Sequence, residues 1–136
     1  MCSPAFFDAH RDIAKPGDLT DLPLLHVHAP ESARWLAWDS WFAAHSLPPP
    51  GSARSITFNS YSLVIQGALL GNGVALGWTP LVDDLIKKGL LVRLVDAPVV
   101  TERGYFLVRP PARPETAAVQ QFRRWMFRVC EPQTAG

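Results

Sequence analysis

The chain has 136 residues, about one domain's worth, of which 48% are hydrophobic and 18% charged; this excludes a disordered tail and leaves enough apolar matter for a core. Thirteen Lys and Arg against 12 Asp and Glu leave a net charge of +1. That is too even for a chain that grips nucleic acid by itself, where a basic excess gathers on one face.

Ser3-Pro4 is a helix start, with Ser as N-cap and Pro at the first helical position. Pro16-Gly17-Asp18 marks a turn, and Leu24 to His28 reads as a short strand ended by Ala29-Pro30. A helix is predicted from Glu31 to His45: Trp35, Trp38, Phe42 and His45 share one face, with Trp41 beside them. Pro48-Pro49-Pro50-Gly51 breaks it, and Arg54 to Phe58 is a second strand.

Asn59 and Ser60 are good N-caps for a helix that runs to Leu70, where Gly71-Asn72-Gly73 closes it with residues that accept positive φ. Val74 to Trp78 is apolar without alternation, the mark of a strand buried on both faces. Thr79-Pro80 opens another helix to Lys87-Lys88, Gly89 stops it, and Leu90 to Val95 is a further strand. After Asp96-Ala97-Pro98 come a strand over Gly104 to Val108 and a last helix from Glu115 to Cys130. The inner stripe of that helix is Ala118, Phe122, Trp125, Met126 and Val129. Strands alternating with helices predict an α/β layered domain with neighbouring parallel strands.

Several stretches resemble the effector domains of LysR-type transcription regulators, and most of all the branch that includes the glycine-cleavage activators. The central one is FNSYSLVIQGALLGNGVALGWTPLVDDLIKKGLLVRL; CSPAFFDAH, DLTDLPLLHV and GYFLVRPPARPETAAVQQFRRWM agree in the same order. The resemblance implies a type II periplasmic-binding-protein-like fold, three-layered with a mixed, mostly parallel sheet, in which two lobes hold an effector between them. Relative to that pattern the chain lacks the helix-turn-helix, the linker helix and most of the first lobe, so an incomplete two-lobe domain is expected. Residues 1–98 then correspond to the second lobe, 99–131 to the strand and helix that return to the first, and 132–136 to a tail.

The candidate ligand residues are Asn59, Ser60 and Tyr61, where a parallel strand gives way to a helix N-terminus and free backbone N–H groups favour anions. The competing reading makes Asn59 or Ser60 a helix cap and nothing more. Trp78 and Thr79 end the next strand as a second wall, where an aromatic ring suits a quaternary amine; the alternative is core packing. Trp35, Trp38, Trp41 and Phe42 read as core, with a subunit contact as the other meaning.

No catalytic set, cofactor loop or metal site is expected. His26 and His28 alternate along a strand without a third ligand, and the adjacent Asp83 and Asp84 diverge on a helix. Gly71-Asn72-Gly73 ends a helix where a dinucleotide loop would open one. Cys2 and Cys130 form no CxxC pair, the N-terminus lacks the pattern of a signal peptide, and no stretch approaches the roughly 20 apolar residues that span a bilayer. The expectation is a cytoplasmic sensor without enzymatic activity, binding a small effector that is polar, anionic or a quaternary amine. It would form a homo-oligomer, a dimer, and reach DNA only through a helix-turn-helix absent from this chain. A transport-type solute-binding module, an enzyme and a pure assembly module are the rival readings.

Overall fold

The computed structural model of the protein describes residues 1–28, 36–51, 54–101, 107–110 and 115–130. The chain falls into two compact units, Met1–Arg103 and Gly104–Gly136.

The first unit is organised by β1 (Leu24–Val27), whose Leu24 and Leu25 are both buried. Two strands flank it, β2 (Ile56–Phe58) and β3 (Val74–Ala75), in the order β2-β1-β3. Both pairings are parallel, with Leu25 opposite Ile56 on one side and opposite Ala75 on the other. Parallel pairing puts the C-terminal ends of all three strands on one edge, so His28, Asn59 and Leu76 leave the sheet together. Gly73 enters β3 at φ +155°, and a Cβ there would run into the Pro23 carbonyl.

Helix α1 (Pro4–Ala9) begins as predicted, with Ser3 accepting from the Phe6 N–H at 3.2 Å. The turn at Pro16-Gly17-Asp18 is the start of a 3-10 helix, Pro16–Asp21. Helix α2 (Trp38–Ala44) is shorter than the predicted Glu31–His45. Ala37 before it is extended, at φ −100° and ψ 168°, while 29–35, with Trp35, lie outside the described residues. Trp38, Trp41 and Phe42 are buried, as the core reading requires, with Phe42 fully so. They join Cys2, Leu19, Leu24, Val74 and Leu94 on one face of the sheet. Trp38 Nε1–H donates to the Leu25 carbonyl at 3.0 Å, and Trp41 Nε1–H to that of Ala97 at 3.1 Å, so neither indole leaves a buried donor unmet.

Helix α3 (Tyr61–Leu69) covers the other face through Val64, Gly67 and Ala68. Gly67 sits so close to the strands that a Cβ would lie 3.0 Å from the Phe58 ring and 3.2 Å from the Leu25 side chain. That small residue lets the helix settle on β1 and β2 and fixes where its first turn falls.

Three further expectations for the first unit need correction. The strand predicted over Val74 to Trp78 stops at Ala75, because a side chain takes over the backbone bonds beyond it, as described below. The helix predicted from Thr79-Pro80 begins four residues later, as α4 (Asp83–Lys87). The Thr79–Pro80 peptide is cis, buried Val82 precedes the helix, and Asp83 and Asp84 occupy the first turn, where the dipole favours them. Leu90 to Val95 is no strand: its buried positions are Leu91 and Leu94, three apart, where a strand needs a period of two. All that remains there is an antiparallel bridge between Cys2 and Val92.

In the second unit, Leu107 and Val108 are exposed and not in a strand; the rest of the strand predicted over Gly104 to Val108 lies outside the described residues. Helix α5 (Ala117–Cys130) matches the predicted last helix within two residues at its start. Phe122 and Trp125 are 53% and 52% exposed, with ring centroids 5.8 Å apart.

Candidate functional site

At the C-terminal edge of the sheet a half-open cleft has room for about 30 Å3, enough for one or two water-sized groups. Its walls come from β1 (Leu25, His26, Val27), the start of α2 (Leu36, Ala37, Trp38), α3 (Tyr61, Val64) and the chain after β3 (Leu76, Trp78).

Tyr61 and Trp78 build one wall together. Their rings stack with centroids 4.0 Å apart and planes within 7°. The Tyr61 hydroxyl donates to the Leu76 carbonyl at 3.0 Å and accepts the Trp78 backbone N–H, also at 3.0 Å. One phenol thus does for Leu76 to Trp78 what a neighbouring strand would do, and this is why β3 ends early. The hydroxyl that the sequence put at the ligand is occupied within the protein, while the ring faces the cleft.

The other candidates lie on the same edge without lining the cleft. Asn59 and Thr79 are exposed and Ser60 is partly buried. Ser60 holds the N-cap position of α3 in extended conformation, at φ −146° and ψ 152°, yet its side chain makes no capping bond. Its hydroxyl is not consumed by the helix. The strand-tip placement therefore brings Asn59, Ser60 and Tyr61 near Trp78 and Thr79, but the cleft itself is formed by Tyr61 and Trp78 with residues from β1 and α2.

Sequence reasoning weighed His26 only as a metal ligand; among the described residues no group of three or more His, Cys, Asp or Glu side chains is placed to hold a metal. Here it is a cleft wall. His26 Nε2 is buried and has no hydrogen-bond partner among the described residues. Burial pushes its pKa down, opposed by the Asp39 carboxylate, so the ring is neutral at pH 7. Among the described residues, the lining contains no Asp, Glu, Lys or Arg. The available signal was positional: His26 lies near the end of an apolar strand, close to where parallel strands open their binding edge.

Behind the cleft, Met1 exchanges backbone bonds with Ala75, amino group to carbonyl at 2.8 Å and the reverse at 2.8 Å. Desolvation lowers the pKa of this amino group to about 6; the nearby Cys2 opposes that shift and Arg93 adds to it.

The family described as LysR substrate binding domain matches residues 1–131. An uncharacterized HTH-type transcriptional regulator of Sinorhizobium fredii, y4mQ, is 29% identical over 100% of this chain and 44% of its own length. The transcriptional activator AmpR of Providencia stuartii is 32% identical over 85% of this chain and 37% of its own length. The glycine cleavage system transcriptional activator of Escherichia coli is 25% identical, over 93% and 40%. The chain thus spans about two fifths of the length of these relatives (44%, 37% and 40%). Among solved structures, the effector domain of AmpR from Pseudomonas aeruginosa superposes with a TM-score of 0.72 at 28% identity, covering 94% of this chain and 58% of that domain. The parallel sheet with helices on both faces agrees with the periplasmic-binding-protein-like fold expected from the sequence. Matched along nearly its whole length and built on the same fold, this chain belongs to the LysR substrate-binding domain family.

Proposed function

We propose that this chain is the ligand-sensing region of a LysR-type transcription regulator and works by binding a small metabolite at the strand-tip edge, without catalysis. The observation that carries the reading is the cleft walled by the Tyr61–Trp78 stack at the C-terminal ends of parallel strands, where open α/β folds bind ligands. Asn59, Ser60 and Thr79 would meet the effector at the rim, and Trp78 its apolar side. In the whole regulator, a metabolite that favours one of two arrangements would shift the grip on DNA by its differential affinity for them. Residues 1–98 would serve as the effector lobe and 99–131 as the strand and helix of its partner lobe. A glycine-cleavage-activator-like branch and a cytoplasmic setting belong to the same reading. Among the described residues, no helix is long and apolar enough to cross a membrane.

Calorimetric titration of the chain against a metabolite panel, repeated with Ser60→Ala and Trp78→Ala, tests it. A ligand whose affinity drops in both variants supports the site; equal affinity in all three proteins removes it.

A second reading, self-association, rests on the half-exposed Phe122 and Trp125 of α5, since apolar surface left open is commonly buried by another copy. Sedimentation at high concentration tests it: a dimer is expected, and a strictly monomeric profile contradicts it.

A further inference from the structure

The cleft has an uneven chemistry. Nearly all of its lining is aliphatic or aromatic, and the hydroxyl of Tyr61 is engaged with Leu76 and Trp78. Trp38 Nε1–H is likewise committed, to the Leu25 carbonyl. Among the lining side chains this leaves His26 with a buried ring nitrogen, Nε2, that has no hydrogen-bond partner among the described residues. A buried polar atom without a partner is costly, and a ligand that supplies the partner recovers that cost on binding.

Resting on the sensing role proposed above, we infer that His26 is the hydrogen-bonding anchor of this cleft and that the ligand it selects is neutral, with an apolar body and one hydroxyl group. The hydroxyl donates to Nε2, and the body lies along Leu36, Trp38 and Trp78. Size supports this: room for about 30 Å3 admits a single small polar end and leaves the rest of the ligand at the half-open mouth. Charge supports it too, because among the described residues no basic side chain lines the walls to pair with a carboxylate or phosphate buried there. Burial disfavours the imidazolium form of His26, leaving a ring that can accept the bond. Of the polar, anionic or quaternary-amine ligands that the sequence suggested, this keeps the polar class and drops the charged ones.

The test is a titration of the full chain with phenol, toluene and benzoate, read on the ring nitrogen signals of His26 by NMR. Phenol should shift them saturably, toluene should leave them in place, and benzoate should bind more weakly than phenol. In His26→Phe the phenol affinity should fall about tenfold, with recovery in His26→Gln, whose amide restores a polar partner at that depth. Toluene moving the signals as far as phenol, benzoate binding more tightly, or phenol binding equally well to His26→Phe would each overturn the anchor. The sensing role fails separately. A panel metabolite that binds the unaltered chain and His26→Phe alike removes the anchor and spares that role. Phenol seated on His26, with no panel metabolite bound anywhere, removes the sensing role alone.

Discussion

Helices α2 and α5 both present aromatic residues at helical spacing, yet they sit in opposite circumstances. In α2, Trp38, Trp41 and Phe42 are closed off under the sheet, with edge-on and tilted ring contacts of 5.3 to 6.0 Å among them. In α5, Phe122 and Trp125 keep about half of their surface in water, at 53% and 52%. Spacing decides which residues share a face. Whether that face is covered depends on what else packs there, and for α2 the cover is β1 and the Leu24 side of the sheet.

The largest expected effect that tests this contrast is Phe42→Ala. Emptying a fully buried ring position should cost about 3–5 kcal/mol, measured by urea unfolding. A loss below about 1 kcal/mol would mean that α2 is no better anchored than α5.

Next is pH. The Met1 amino group titrates near 6 in the folded chain against 8.0 ordinarily. The unfolded chain therefore holds more protons between those values, so stability should rise from pH 6 to pH 8 and level off above. The span is at most about 2–3 kcal/mol. The neutral His26 acts in the same direction at the lower end of that range. Acetylating the amino group should flatten the upper part of the profile, which thermal melts across the range would detect.

A smaller loss is expected for Tyr61→Phe. It removes two hydrogen bonds but keeps the stacked ring, so about 1–2 kcal/mol should go, together with ordering of Leu76 to Trp78. Amide exchange at Trp78 should quicken while that at Trp41 stays the same. Smallest is Trp125→Ala: it should change unfolding free energy by under about 1 kcal/mol, because the ring is half in water already. If the face is buried by a second copy, the same change shifts the sedimentation profile towards monomer.

Where local pattern and packing agreed, the sequence was readable. Ser3-Pro4 opens α1, the Leu24 run is β1, and α3 starts just after its polar pair at Asn59-Ser60. It misled where an interaction distant along the chain replaced a local one. Leu76 to Trp78 looks like strand but is held by a phenol fifteen and seventeen residues earlier. Leu90 to Val95 is apolar enough for a strand, yet only Leu91 and Leu94 are buried and Val92 is paired to Cys2. The candidate site divided similarly. Strand-helix-strand order brought Tyr61 and Trp78 to one edge, but the part played by His26 and Trp38 depends on how α2 folds back over β1, and no spacing encodes that.

The Tyr61 hydroxyl has a mechanical consequence. Because it grips backbone on both sides of Gly77 while its own residue is the first of α3, the cleft wall and the helix form one lever. A push on the indole of Trp78 therefore bears, through the phenol, on the first turn of that helix.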